Sequence, residues 1–199
     1  MLLKRRPPVI IGLVGPSGSG KTTVCDHLRR RYGFVRIHAA TPLKQAFCTM
    51  FNVPIAATEQ PAVEEPVAYL GGKTPRQVLE RLGVALHETA PLALPKTLDR
   101  RLKNMERLDG RGGPARIVID GIRRQTEAMI VRGHGGKILR LDGGALDPAK
   151  PCDATQALVD YDHTLCRFDT PERMLKELDW ILRTYFLPDE PETEDVGRK

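Results

Sequence analysis

One eight-residue stretch constrains this chain more than any other. Gly15-Pro16-Ser17-Gly18-Ser19-Gly20-Lys21-Thr22 fits G-x-x-x-x-G-K-[ST] in full. The apolar run Val9 to Val14 precedes it. Val24, Cys25, Leu28 and Arg31 recur at helical spacing after it, until Gly33 stops the pattern. A buried strand, a tight loop and a helix start are the expected frame. Small residues let the backbone curl so that several N–H groups face one anion, and the helix end adds partial positive charge. Gly15, Pro16, Ser17, Gly18, Ser19, Gly20, Lys21, Thr22 and Thr23 form the expected ATP site, in which Lys21 reaches the terminal phosphates and the Thr22 hydroxyl ligates Mg2+.

The rest of the chain alternates strand and helix signals. Strands are expected at Phe34 to His38, Ala115 to Asp120, Lys137 to Leu141 and Thr164 to Phe168. Helices are expected at Pro42 to Phe51 with Thr41 as N-cap, at Thr74-Pro75-Arg76 onward to about Glu88, and at Pro95 to Leu108. Two more are expected at Arg123 to Arg132 and Pro171 to Phe186. Asn52 to Gly72 holds no Lys or Arg, and its prolines and glycines break any period, so it reads as a mobile loop. Asp109 to Pro114 reads as a turn. Alternation of this kind predicts an α/β fold, a three-layer α/β/α sandwich around a parallel sheet.

Composition narrows the class further. At 199 residues the chain suits one domain, which can bury roughly 70% of its extended surface without a staple. No apolar stretch approaches the ~20 residues of a membrane span. Cys25, Cys48, Cys152 and Cys166 are widely spaced, without Cys-x-x-Cys or metal-ligand spacing to a histidine, and read as free thiols in a reducing cytoplasm. The basic residues Lys4, Arg5 and Arg6 read as a lead-in to the first strand and not as a secretory signal. The five histidines form no recognisable constellation, and Arg29-Arg30-Arg31 reads as complementing a helix C-terminus. Charge is uneven. Residues 188–199 carry five acids and two bases and read as a disordered acidic tail, leaving 29 bases and 20 acids in the body. The expected domain is therefore 1–187, with mobile segments at about 40–95 and 143–160.

Five further stretches carry a resemblance. They are Ala39-Ala40-Thr41-Pro42-Leu43-Lys44, Gly72-Lys73-Thr74-Pro75-Arg76 through Gly83, Asp120-Gly121-Ile122-Arg123-Arg124-Gln125-Thr126-Glu127-Ala128, Gly135-Gly136 through Leu141, and Asp162 to Leu175. Together with the phosphate loop, and in this order, they resemble the phage-type deoxynucleoside monophosphate kinases over about residues 9 to 186. The resemblance implies a P-loop NTPase fold of the nucleoside monophosphate kinase type. It also implies ATP and Mg2+ as co-substrate and metal, a (deoxy)nucleoside monophosphate as acceptor, and the cytoplasm (a host's, for a phage protein) as location. The sequence departs from the family pattern at Glu80, Gly121, Arg124, Thr126 and Arg167. These departures bear on base preference more than on phosphoryl transfer.

Residue chemistry points the same way. An acceptor phosphate carries nearly two negative charges and needs fixed cations. Arg76 starts a helix, and Arg123 lies where a strand end meets a helix start; both are expected to clamp the acceptor, with Lys44 a third cation. Asp120 ends a strand beside the loop, where it suits Mg2+, a substrate or the cap of the next helix. Glu127, one turn beyond Arg123, is expected to hold the Arg123 side chain. Arg140 and Lys150 are the lid candidates. Two rival readings stay open. The loop region also resembles dephospho-coenzyme A kinase, another small-metabolite kinase. The basic body also suits a nucleic-acid-associated ATPase, although aromatics are only 5% of the chain and supply no stacking stripe. The Trp180 and Tyr185 face of the last helix is expected in the core, with a homodimer interface as the alternative.

Overall fold

The computed structural model describes residues 8–108, 115–143, 155–166 and 170–187. The turn at 109–114, the acidic tail, Lys150, Cys152 and Arg167 lie outside the described residues. The strands are β1 (Val9–Val14), β2 (Val35–His38), β3 (Arg116–Asp120), β4 (Lys137–Asp142) and β5 (His163–Cys166). The helices are α1 (Lys21–Tyr32), α2 (Thr41–Phe51), α3 (Pro75–Thr89), α4 (Ala93–Leu108), α5 (Gln125–Gly133) and α6 (Pro171–Tyr185). Between α2 and α3 the expected loop folds into three short 3-10 turns, Ile55–Thr58, Ala62–Glu64 and Ala68–Leu70.

All strand pairs are parallel, in the order β2-β3-β1-β4-β5. The sheet has a helical layer on each face, which is the expected three-layer sandwich. Alternate residues of each strand point to opposite layers. On one face Ile11, Leu13, Val118, Leu139 and Leu165 pack with Val24 and Leu28 of α1 and Leu178 and Leu182 of α6. On the other, Ile10, Ile117, Ile119 and Ile138 pack with Leu98 and Leu102 of α4 and Val131 of α5. Each fully buried side chain of this kind contributes about 1.5–3 kcal/mol. No helix among the described residues is long and apolar enough to cross a membrane.

Several boundaries differ from the sequence expectation, each for a local reason. Thr41 is the first residue of α2 and not its cap, because its hydroxyl turns back to donate to His38 O at 2.7 Å. At α3 the expectation is met: Thr74 caps, accepting from Gln77 N at 3.2 Å, and Pro75 stands first. Helix α4 begins at Ala93, two residues before Pro95, since a proline is tolerated within the first turn. Helix α5 starts at Gln125, two residues later than Arg123. Trp180 is 59% exposed and Tyr185 42%, so that face of α6 is not core.

Candidate functional site

The carboxyl ends of β1, β2 and β3 open into a cleft of about 770 Å3. A parallel sheet places this crevice by topology, where loops leave neighbouring strands in different directions. One wall is the phosphate loop: Gly15, Ser17, Gly18, Gly20, Lys21, Thr22 and Thr23. Gly20 caps α1 in the left-handed region (φ 94°), which favours glycine, and a side chain there would also press on Met174 of α6. Lys21 Nζ arches over the loop and donates to Gly15 O at 2.7 Å and Pro16 O at 2.6 Å. Ser19 is buried behind the loop, its hydroxyl 3.4 Å from the same ammonium.

The facing wall comes from α2, the 3-10 turns and α3. It brings Lys44, Arg76 and Gln77 to the same cleft, with Thr58, Glu59 and Glu64 beside them. Lys44 Nζ pairs with Glu59 at 2.8 Å, and Arg76 Nε pairs with Glu64. The segment that holds no Lys or Arg thus places its carboxylates against two of the expected acceptor cations.

The floor is formed by Arg36, His38, Asp120, Gly121 and Arg123. Asp120 is 5% exposed and accepts from an Arg36 terminal nitrogen at 2.5 Å. Burial alone would raise its carboxyl, but the hydrogen bond from Arg36 and the charges of Arg36 and Lys21 hold it below the ordinary carboxylate range. Burial likewise works against the charge on Arg36, and the hydrogen bond to Asp120 more than restores it. His38 is pushed down to about 4, chiefly by burial, so it is the neutral member of the group. Its Nδ1 accepts from Ala40 N at 3.1 Å. Gly121 (φ 79°) lies directly under the imidazole, where an added Cβ would stand 2.7 Å from the ring. The positive φ and this close approach to His38 together favour glycine at the position.

Asp120 does not cap α5. Glu127 gathers that helix's first donors. Its carboxylate accepts from the backbone N–H of Arg123 at 2.8 Å and of Arg124 at 3.3 Å, and it feels the positive charge of the Arg123 side chain as well. Burial raises its pKa, and the two N–H donors work against that rise. The Arg123 Nε is buried and has no hydrogen-bond partner among the described residues. Arg123 also borders a second, smaller cavity of about 60 Å3, lined by Leu43, Leu79, Val84 and Leu94 of α2, α3 and α4 and by Glu127. Arg140 lies on β4 with its guanidinium over the Tyr161 ring at 5.2 Å, outside the lining of the cleft.

Sequence reasoning missed Arg36, His38 and Gln156, all of which reach the cleft. Only the strand order brings the first two beside Asp120, and no local pattern announces it. Among the described residues no three His, Cys, Asp or Glu side chains gather as a metal site. Thr22 and Asp120, the two expected metal ligands, both line the cleft.

The loop, the strand order and the cleft at the strand ends define a P-loop fold of the three-layer α/β/α class. The chain is similar to a protein of Acanthamoeba polyphaga mimivirus named "Putative deoxynucleotide monophosphate kinase", 29% identical over 189 residues, covering 85% of this chain and 94% of the relative. That is the kind of protein the sequence motifs resemble. No family model matches. Among solved structures, shikimate kinase from Aquifex aeolicus superposes with a TM-score of 0.43 at 16% identity, covering 88% of this chain and 96% of that one. A gluconokinase from Sinorhizobium meliloti superposes with a TM-score of 0.46 at 12% identity, covering 94% and 100%.

Proposed function

We propose that this chain is a phosphotransferase that moves the terminal phosphate of ATP to the phosphate of a (deoxy)nucleoside 5'-monophosphate, giving the diphosphate and ADP. One observation supports this best: a phosphate loop and the cations Lys44, Arg76 and Arg123 border a single cleft large enough for two anionic groups. The kind of acceptor follows the name of the viral relative and the sequence resemblance.

In this reading the loop N–H groups and Lys21 hold the donor phosphates, Lys21 exchanging the Gly15 and Pro16 carbonyls for phosphate oxygens. Arg76 and Arg123 hold the acceptor phosphate, and Lys44 assists. An acceptor oxygen attacks the terminal phosphorus, the bond from that phosphorus to the bridging oxygen breaks, and ADP leaves. The attacking oxygen is already anionic, so no strong base is needed. Positioning and charge neutralisation supply the rate. Thr22 and Asp120 would hold Mg2+, which would add to the neutralisation of the transferring group.

Glu59 and Glu64 give the acceptor wall a particular character. They balance Lys44 and Arg76, and a doubly charged phosphate competes for the same cations. A panel assay tests the reading: ATP and Mg2+ with each common ribo- and deoxyribonucleoside monophosphate, and with dephospho-coenzyme A, following ADP formation. At least one monophosphate is expected to be turned over well above the ATP hydrolysis background. Normal ATP binding with no diphosphate from any monophosphate contradicts it. Turnover of dephospho-coenzyme A alone would move the assignment to that acceptor.

A further inference from the structure

Asp120 is tied to β2 as well as facing the phosphate loop. Arg36 stands opposite Val118, and His38 opposite Asp120, in the β2–β3 register. Arg36 and Asp120 therefore rise on the same face of the sheet as Val118, the face covered by α1. The Arg36 side chain is 31% exposed, Asp120 is almost fully buried, and both line the cleft with Lys21, Thr22 and Thr23. Asp120 takes one donor of a guanidinium that has five. Arg36 makes no other hydrogen bond among the described residues.

An ion pair that only joined two strands would be satisfied within itself. Here the anion is shared: Asp120 feels Lys21 as well as Arg36. Asp26 also acts on Arg36, but the only side chain that accepts a hydrogen bond from Arg36 among the described residues is Asp120. A guanidinium held rigidly on one side, with free donors on the other, suits an oxyanion better than a mobile lysine does, because its fork is fixed in advance.

We propose that Arg36 is a phosphate-binding cation of this cleft, positioned by Asp120, and that its partner is the terminal phosphate of the bound nucleoside triphosphate. The inference rests on reading the loop as an ATP site and not on the identity of the acceptor. Asp120 is then a positioning residue for Arg36, beside any hold it has on Mg2+.

Calorimetry with β,γ-imido ATP and with ADP, both in Mg2+, tests this through the ratio of the two affinities. Wild type, Arg36→Ala, Arg36→Lys, Asp120→Asn and the double variant Arg36→Ala/Asp120→Asn are compared. Loss of the Arg36 contact is expected to lower the triphosphate-to-diphosphate ratio by about tenfold or more, with ADP affinity nearly unchanged. Arg36→Lys should recover part of the loss. Asp120→Asn should lower the ratio clearly more when Arg36 is present than when it is absent. Because Arg36→Ala leaves a buried carboxylate without its partner, the double variant and Arg36→Lys carry the comparison if the single variant fails to fold. A ratio within twofold of wild type in folded variants lacking Arg36 overturns the proposal. So does an Asp120→Asn loss of equal size with and without Arg36, accompanied by a raised Mg2+ requirement, which would assign Asp120 to the metal alone. If wild type binds neither nucleotide, the ATP-site reading falls and the proposal with it. If it binds both as described but phosphorylates no acceptor, only the acceptor assignment falls.

Discussion

Three side chains converge on Asp179 of α6, and the way they do so makes its charge a structural element. His27 Nε2 lies 2.6 Å from one oxygen, the Tyr32 hydroxyl donates to the same oxygen at 2.9 Å, and Arg31 Nε lies 3.6 Å from the other. Burial alone would raise the carboxyl, but the His27 and Tyr32 contacts prevail and hold it below its ordinary value. A carboxylate with a lowered folded pKa contributes stability that is fully present above its unfolded pKa and is lost as pH falls through the folded one. Asp179→Asn is therefore expected to cost about 1–3 kcal/mol near pH 7, with the deficit shrinking below about pH 4. Thermal melts of both proteins from pH 7 down to pH 3 check this. An equal deficit at both ends would show that the charge is not what joins α1 to α6. The sequence did not show this pairing: there His27 belongs to no recognisable constellation, and the arginine run reads as complementing a helix C-terminus. The partner, Asp179, lies 152 residues away from His27, and only the packing of α6 on α1 pairs them.

At the scale of elements, local signals carried far. The phosphate loop and the Thr74-Pro75 helix start were legible because cap chemistry and glycine conformation act within four residues. Starts that depend on a tertiary partner were not. Thr41 forms a turn back to His38 in place of capping α2, and α5 waits for Glu127 to gather two backbone donors. Arg36 went unnoticed for the same reason: its partner Asp120 is 84 residues on. The helix that closes the fold was legible from its apolar spacing, and its energetic weight can be measured. Leu178 is fully buried against α1 and the sheet. Leu178→Ala is expected to destabilise by about 2–5 kcal/mol. Denaturant titration reads this as a lower midpoint at unchanged slope. A loss under about 1 kcal/mol would mean that α6 is not integral to the core.

Across the whole molecule, the charge that first suggests nucleic acid gains a more specific setting. Lys21, Arg36, Lys44, Arg76 and Arg123 all border one cleft, with Asp120, Glu59 and Glu64 set among them. Sequence position separates these groups by as much as 102 residues, from Lys21 to Arg123, so it is the fold that brings them to one place: the strand order β2-β3-β1 for Arg36, Asp120 and the phosphate loop, and α2 and α3 for Lys44 and Arg76. In the proposed function, donor and acceptor anions share this cleft. Calorimetry with two nucleosides joined through five phosphates, a single molecule spanning both expected sites, measures it most directly. The account predicts one molecule bound per chain, tighter than ATP or any monophosphate alone, with that advantage lost in Arg123→Ala and binding lost in Lys21→Ala. Affinity no better than that of ATP, or an Arg123→Ala variant that keeps the full advantage, would contradict it.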